Sequence, residues 1–394
     1  MDLDSFTALL TPRGRAALAQ AEELSGADPV AAATRLRRSH DAALASAALT
    51  QARLRERAKA KFGADAARMF FTPHGLEQAT RAEVAAHRAR RLGAAPGMRV
   101  ADVCCGIGGD LLALAQAGCT VEAVDTDPLS VAVARANAEA LGVADRVTIK
   151  LGDGAETRPE AYDVLFADPA RRSSRGRTFD PLAYSPSWPV VLALLGRARM
   201  GCVKAAPGIP YEFIPDRAET EWVSYKGEVK EATLWTGHAP ETARRATLLP
   251  GGQTLAAAGV RAPTGPVGRF VYEPDGAAVR AHLIGEVAAL VGGRLPDPMI
   301  AYISGDEPID TRWATRYEVR ETLPFSLKKL RAALRAHGVG KAVIKKRGSA
   351  VDIERLRGDL RLSGDKTAVV ILTRVSDKPT VLICDPRPPA QMAN

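Results

Sequence analysis

The feature that most constrains the fold is an alternation of short apolar runs with helical periods between about residues 70 and 237. Runs such as "MRVADVCC", "TVEAVD", "VTIKLGD", "DVLFADP" and "GCVKAAPG" alternate with longer stretches such as "DLLALAQAG" and "PLSVAVARANAEALG". This alternation is typical of a parallel sheet covered by helices on both faces. In such α/β folds, ligands bind beyond the carboxyl ends of the strands, near the point where the strand order reverses.

The patterns on either side of this alternation are different. Residues 1–68 carry Ala and Leu among Arg and Glu at helical spacing, and Asp28-Pro29 predicts the start of one long helix reaching about Lys61. The C-terminal part mixes strand and helix patterns and ends on two strands joined by the turn "SDK". We therefore predict a helical N-terminal region at 1–68, an α/β domain at 69–249, a Gly- and Pro-rich linker at 250–268 and an α+β domain at 269–394.

Positive charge is concentrated near the C-terminal end. The whole chain has a net charge of +9, and the segment from Phe325 onward, with 15 Lys and Arg against 6 Asp and Glu, has the same surplus. Residues 326–348 include eight basic residues and no acidic one, with Lys345, Lys346 and Arg347 together at a predicted strand end. Basic segments without interleaved acids favour phosphate backbones, although many are solvated faces. We predict that these three residues contact RNA.

Cysteine usage and hydropathy exclude other classes. The five cysteines form no C-x-x-C pair and have no histidine at zinc-ligand spacing, so we expect neither a disulfide framework nor a metal site. The chain has no run of about 18 apolar residues, and its first residues are acidic where a secretory signal would be basic. We expect a cytoplasmic protein without a membrane span, and the sequence leaves its oligomeric state open.

A glycine-rich turn, "CCGIGGD", joins a predicted strand to a predicted helix. Gly106 and Gly108 let the backbone approach a ligand closely, because glycine tolerates positive φ. Asp102 lies in the preceding strand, where a dinucleotide fingerprint has apolar residues, and suits an ammonium or sulfonium group. The next two strands end at Asp125 and Asp153, suited to ribose hydroxyls and to an adenine amino group. One ligand explains all three acids. The alternatives are strand-end caps in a protein that binds no nucleotide, and a nicotinamide enzyme, whose G-x-G-x-x-G fingerprint the turn fits poorly.

The segment from Phe70 to Asp153 resembles class I S-adenosylmethionine-dependent methyltransferases, and most of all their trimethylguanosine synthase-like branch. The likeness rests on "FFTPHGLEQAT" followed by "DVCCGIGGDLLALAQAGCTVEAVDTD". It implies a Rossmann-like sheet and S-adenosylmethionine as cofactor. The residues it implies around the cofactor are Asp102, Gly106 and Gly108 at the methionine end, Asp125 at the ribose, Asp153 at the adenine, and Thr72 along the pocket. Cys104 lies in the glycine-rich turn, and we expect it to line the same pocket.

The fourth predicted strand ends in "LFADPARR", where the methyl acceptor has to lie. Amino-methylating relatives have Asp, Asn or Ser before Pro-Pro and an aromatic residue at this place. Asp168 and Pro169 match this motif and are the candidate catalytic residues, whereas Ala170 and Arg171 replace the second proline and the aromatic residue. Arg171 and Arg172 could stack on a base or bind a phosphate.

Two aromatic residues and one cysteine are further candidates near the acceptor. Tyr184 and Trp188 are the nearest residues able to stack on a base, and Trp188 is predicted to contact RNA; the alternative for both is a core position. Methylation of pyrimidine C5 would need a thiol nucleophile, but Cys202 lies within an apolar strand, which favours a buried hydrophobic role.

The C-terminal part is similar to the THUMP-like domain of bacterial methyltransferase-type proteins, through "AVIKKRG" and "TVLICDPRP". This likeness implies RNA as a partner. We predict an S-adenosylmethionine-dependent methyltransferase that acts on a base nitrogen of RNA. The alternatives are an RNA-binding protein that binds the cofactor without turnover, and a methyltransferase of small molecules or proteins.

Overall fold

The structure is a computed structural model that describes residues 1–170, 172–173, 176–177, 180–237 and 241–386, with the backbone alone at 172–173 and 176–177. It divides into two compact units. Unit 1 consists of Met1–Thr220 and Glu231–Glu241, and unit 2 consists of Glu221–Lys230 and the chain from Thr242 onward. The predicted boundary at residue 249 differs from this division.

Unit 1 begins with four helices, α1 (Leu3–Leu10), α2 (Pro12–Glu23), α3 (Pro29–Leu36) and α4 (Ala42–Phe62). The prediction of one helix from Pro29 to Lys61 is right at its start and wrong in its continuity. Asp28 caps α3 through the amides of the first turn, as predicted. Asp41 then accepts a hydrogen bond from Leu44 N at 2.9 Å, which starts a second helix and separates α3 from α4.

The rest of unit 1 is built on a mixed sheet. Its helices are α5 (Pro73–Gln78), α6 (Ala82–Arg91), α7 (Gly109–Gln116), α8 (Pro128–Leu141) and α9 (Trp188–Arg197). Its strands are β1 (Arg99–Val103), β2 (Thr120–Asp125), β3 (Val147–Leu151), β4 (Val164–Ala167), the short pair β5 (Arg172–Ser173) and β6 (Gly176–Arg177), β7 (Met200–Ala205), and parts of β8 (Glu219–Tyr225) and β9 (Glu228–Thr236).

The strand order of this sheet brings the predicted site residues to one edge. The order is β9-β7-β4-β1-β2-β3, with parallel pairing from β7 to β3 and β9 antiparallel to β7. The predicted parallel α/β fold is thereby confirmed. Val103 at the end of β1 pairs with Val124 on β2 and with Ala167 on β4, so the loops that follow these strands leave the sheet side by side.

Unit 2 has α10 (Gly276–Arg280), α11 (Ile284–Leu290), α12 (Leu327–Ala336) and α13 (Ile353–Leu360). Its further strands are β10 (Arg244–Leu249), β11 (Gln253–Ala256), β12 (Phe270–Pro274), β13 (Ile303–Gly305), β14 (Ala314–Pro324), β15 (Val339–Lys346), β16 (Lys366–Val375) and β17 (Lys378–Cys384). Six of them form a sheet in the order β13-β12-β14-β17-β16-β15, which confirms the C-terminal α+β architecture.

Two turns of unit 2 bear on the sequence predictions. The predicted hairpin joins β16 and β17, and its turn residues Ser376 and Asp377 have φ values of 47° and 63°, as primed turns require. The start of the segment 250–268, which was predicted as a linker, forms part of a β-hairpin. Gly252, with φ of 74°, reverses the chain there, and β11 pairs antiparallel with β10.

Candidate functional site

The glycine turn after β1 has the backbone that its sequence predicts. Cys104, Gly106 and Gly108 all have positive φ, at 77°, 54° and 94°. A Cβ placed on Gly106 would meet no atom within 4 Å, so the turn borders open space. The Gly106 amide donates to Asp125 Oδ2 at 2.8 Å, which fixes the turn against the end of β2.

The segment at the start of α5 lies against this turn. The Thr72 hydroxyl accepts a hydrogen bond from Gly75 N at 2.9 Å and caps α5, and a Cβ on Gly75 would lie 2.4 Å from Ile107 Cγ2. Asn137 of α8 is fully buried and donates to the carbonyls of both Phe70 and Ile107, at 3.1 and 3.0 Å. Sequence reasoning missed Asn137, which ties the two segments together.

Asp102 is a buried carboxylate without a neutralising contact. Its side chain is 1% exposed, and neither oxygen has a hydrogen-bond partner among the described residues. Burial raises the pKa of Asp102 well above its ordinary range, and Asp168 and Asp125 add to this effect, whereas Arg88 and Lys204 oppose it. An orphaned acid in an acidic surrounding fits a cationic ligand, such as the ammonium and sulfonium groups of S-adenosylmethionine.

Asp125, the last residue of β2, and Asp153, two residues after β3, differ in how many hydrogen bonds their carboxylates already accept. Asp125 is half-buried and accepts hydrogen bonds from the amides of Gly106 and Asp127, at 2.8 and 2.9 Å. Because a carboxylate has about four acceptor positions, about two remain for ribose hydroxyls. Asp153 is exposed and accepts from Ala155 N at 2.9 Å. Both acids are thus placed where a ligand over the sheet edge can reach them.

The two cysteines near the site, Cys104 and Cys202, are partly and fully buried. Cys104 is half-buried, and burial raises the pKa of its thiol, as do the neighbouring carboxylates of Asp102 and Asp125. It can therefore line a pocket but is a poor nucleophile. Cys202 is fully buried on β7, where it pairs with Phe166, in agreement with the hydrophobic role favoured by the sequence.

The acceptor loop begins directly after β4. Asp168 is half-buried, with 24% of its side chain exposed, and its Oδ2 lies 2.5 Å from Lys204 Nζ. Pro169 is buried, and Ala170 exchanges backbone hydrogen bonds with Ser185 at 2.8 and 3.0 Å, which anchors the loop. The predicted contacts of Arg171, and of the Arg172 side chain, lie outside the described residues.

Trp188 does not offer a stacking surface. Its side chain is 1% exposed, its indole N–H donates to the Phe213 carbonyl at 3.0 Å, and its ring meets Tyr184 edge-on at 5.9 Å. This burial contradicts the prediction that Trp188 contacts RNA and supports the alternative of a core position. The polar atom of the indole is satisfied inside unit 1, as is usual for a buried tryptophan.

A chain of buried polar contacts behind Asp168 was missed by sequence reasoning. Lys204 Nζ also donates to Thr80 Oγ1 at 2.8 Å, and the Thr80 hydroxyl donates to Asp110 Oδ2 at 2.7 Å. Arg88 then forms ion pairs with both Asp110 and Glu231. The sequence signal was a single lysine in the apolar strand "MGCVKA".

The three predicted RNA-contacting residues of unit 2 already contact other residues of that unit. Lys345 Nζ lies 2.6 Å from Glu273 Oε2, and the Arg347 guanidinium donates to the Ala301 carbonyl and covers the Tyr302 ring. Lys346 is exposed, although it donates to a backbone carbonyl. Lys345 and Arg347 are half-buried and contribute to the packing of unit 2, so the three residues do not present one continuous basic edge.

No helix within the described ranges is long and apolar enough to cross a bilayer. In the same part of the chain, no group of three or more His, Cys, Asp or Glu side chains could hold a metal ion.

Three family descriptions match separate parts of the chain. Residues 97–188, which span the glycine turn and the acceptor loop, match "RNA cap guanine-N2 methyltransferase". Residues 314–386 match "THUMP domain-like", and residues 2–58 match a domain of unknown function. The two resemblances seen in the sequence are thereby confirmed.

Relatives cover most of the chain. Two uncharacterized S-adenosylmethionine-dependent methyltransferases from Mycobacterium tuberculosis, of strains CDC 1551 and H37Rv, are each 38% identical to it over 355 residues, or 84% of this chain and 95% of theirs. The crystal structure of a candidate methyltransferase from Porphyromonas gingivalis W83 shares the fold, with a TM-score of 0.75 and 21% identity over 94% of this chain and 96% of that one. The chain belongs to the family of S-adenosylmethionine-dependent methyltransferases and uses S-adenosylmethionine as its cofactor.

Proposed function

We propose that this methyltransferase acts on RNA and transfers the methyl group to an exocyclic nitrogen of a base. The observation that supports this most directly is the carboxylate of Asp168. It follows β4, one strand over from the strand that holds Asp102, and it keeps one oxygen free of the contact with Lys204. A partly exposed carboxylate at this position can accept a hydrogen bond from an N–H of the amine that is to be methylated.

The residues at the sheet edge divide by the part of the cofactor they would hold. S-adenosylmethionine supplies a methyl group that is activated by its positive sulfur. Asp102 would meet the cationic methionine end, Asp125 the ribose and Asp153 the adenine. Gly106 and Gly108 would let the backbone come close, and Thr72 and Cys104 would border the pocket.

Asp168 and Pro169 would orient the acceptor. In this proposal Asp168 Oδ1 accepts one N–H of the amine, and the Pro169 carbonyl accepts the other. Both hydrogen bonds direct the nitrogen lone pair toward the methyl group, and they strengthen as positive charge develops on that nitrogen. As the N–C bond forms, the S–C bond would break to leave a neutral thioether, and one N–H proton would then pass by way of Asp168 to solvent. Arg171 and Arg172 would contact the base or a phosphate, as the sequence predicts.

Three observations favour RNA as the substrate. The match to the cap guanine-N2 methyltransferase family includes Asp168 and Pro169, and unit 2 contains the THUMP-like match. Unit 2 also carries exposed basic residues for which the described part of the chain shows no acidic partner, among them Lys328, Lys329 and Lys341. Such residues suit the sequence-independent grip on a phosphate backbone.

The proposal is tested with RNA from a strain that lacks the gene. Purified protein and labelled S-adenosylmethionine should transfer label to this RNA, and mass spectrometry of its nucleosides should show one methylated base restored. Asp163→Asn, at the opposite end of β4, serves as the matched control and should remain active. Label transfer to small molecules or protein but not to RNA would contradict the proposal.

We expect charge reversal on unit 2 to weaken RNA binding. Lys329→Glu combined with Lys346→Glu removes two exposed cations and should lower affinity roughly 10-fold at low salt, with a salt dependence shallower by about one counterion per lost contact. Fluorescence anisotropy across a salt series measures both quantities. The control, Arg53→Glu with Arg57→Glu on α4, changes the net charge equally and should bind as the parent does; equal weakening by both pairs would show a nonspecific charge effect.

A further inference from the structure

We propose that Lys204 is a positioning residue, whose buried ammonium holds the Asp168 carboxylate in the orientation that receives the methyl acceptor. The inference rests on the proposed function and adds to it the residue behind the acceptor-binding acid. It concerns a lysine that touches neither cofactor nor acceptor and acts through Asp168.

The register of the sheet places Lys204 beside Asp168. Strands β4 and β7 are parallel neighbours, and Ala167 pairs with Val203, so the next residues along the two strands are Asp168 and Lys204. The contact between them is 2.5 Å, and the lysine side chain is only 4% exposed. A fully desolvated ammonium needs several hydrogen bonds, and these define its position closely.

Thr80 fixes the other side of the ammonium. Its hydroxyl donates to Asp110 Oδ2 at 2.7 Å, so a lone pair is left to accept from Lys204 Nζ at 2.8 Å. Asp110 is held in turn by Arg88, and Arg88 by Glu231. Charges therefore alternate in sign from Asp168 to Glu231, and each member limits the freedom of the next.

A purely structural role explains this arrangement poorly. Buried ion pairs add little net stability, and apolar replacements of similar volume are often neutral or stabilising. This series of polar contacts instead ends at Asp168, a half-buried acid at the acceptor side of the sheet. The loss of Lys204 would deprive Asp168 of its direct counter-ion. The other ionisable groups that face the same region are the Asp102 carboxyl on β1 and the Arg88 guanidinium on α6.

A double-mutant cycle separates positioning from stability. Lys204→Met should lower kcat about 10- to 100-fold in the parent protein, as strongly coupled neighbours do, but less than about twofold when Asp168 is already Asn. The control is Arg91→Met, which removes the ion pair of Arg91 with Glu219. Arg91 lies on α6, one turn after Arg88. The effect of this control on kcat, if any, should be the same in both backgrounds. Equal effects of Lys204→Met in both backgrounds would overturn the proposal.

Thr80 supplies a second test if Lys204→Met does not fold. Thr80→Val removes the hydroxyl that holds the ammonium and should lower kcat, whereas Thr80→Ser keeps the hydroxyl and should restore most of it. Thermal unfolding of each variant is measured alongside. A kcat of Thr80→Val equal to that of Thr80→Ser would contradict the proposed role of the ammonium.

One readout does not depend on methyl transfer. The ¹⁵Nζ resonance of Lys204 should be protected from solvent exchange and should shift in Asp168→Asn. If the parent protein methylates no RNA, the proposed function fails, and this spectrum still decides whether Lys204 and Asp168 are coupled. A Lys204 resonance that is unaffected by Asp168→Asn would overturn the inference in either case.

Discussion

Asp168→Asn is expected to lower kcat for RNA methylation about 100- to 1000-fold, the range seen when one group that stabilises developing charge is removed. The amide keeps the size of the carboxylate, but the Lys204 ammonium would bind its oxygen and turn its NH2 group toward the acceptor, where it opposes the amine N–H. For this reason Asn should not replace Asp here, although relatives with this motif can carry Asn. S-adenosylmethionine binding should change little, because the acceptor loop lies beyond β4. Single-turnover transfer of labelled methyl groups measures the first effect, and calorimetry measures the second.

Asp163→Asn is the matched control for this substitution. Asp163 precedes β4, and its carboxylate accepts from Arg99 N at 2.9 Å at the opposite end of the strand. Its substitution should leave methyl transfer within about twofold of the parent, as for surface changes away from special sites. An Asp168→Asn protein that methylates RNA at the parent rate would show that another group orients the acceptor.

Asp102→Asn is expected to weaken S-adenosylmethionine binding about 10- to 100-fold, the equivalent of about 1.5–3 kcal/mol for a hydrogen bond to a charged group. The same substitution should stabilise the free protein at neutral pH, because it removes a buried carboxylate whose oxygens have no hydrogen-bond partner among the described residues. Calorimetric titration and thermal unfolding of one sample give both results. A variant that binds the cofactor as the parent does would exclude Asp102 from the cofactor site.

The pH dependence of stability follows from the raised pKa of Asp102. Between the pKa of the unfolded chain, about 3.9, and the higher pKa of the folded protein, the folded state holds more protons, so this residue's contribution to stability falls as pH rises. Asp102→Asn should remove that part of the slope. Binding of a cationic cofactor favours the ionised acid, so affinity should fall as the pH is lowered through the folded-state pKa, and the variant should lack this fall.

The cofactor side of the site could be predicted because its signals are local. Strand ends and a glycine turn follow one another within about 85 residues, and each acid stands at a strand end that the hydrophobic pattern already marks. Glycine at positions 106 and 108 permits the positive φ that the turn adopts there. The parallel sheet then brings these separate strand ends to one edge.

Contacts between distant parts of the chain could not be predicted in this way. Lys204 and Thr80 are 124 residues apart, and Arg88 and Glu231 are 143 residues apart, so no local pattern connects them. Trp188 was misjudged for a similar reason, since its burial depends on Phe213 and Tyr184 rather than on its own segment. Nothing in the basic run 345–347 indicates the ion pair of Lys345 with Glu273, because Glu273 lies on another strand.

The discontinuity of unit 1 has a consequence for how this family can diverge. Glu231–Glu241 belongs to unit 1, although the ten residues before it belong to unit 2. This segment contains most of β9 and also Glu231, the last acid in the series of polar contacts that includes Lys204. A recombination event that joined a foreign C-terminal module near residue 220 would therefore delete part of the methyltransferase unit. Exchange of such modules should be confined to crossover points beyond residue 241, and the ion pair of Arg88 with Glu231 should be inherited together with the catalytic unit.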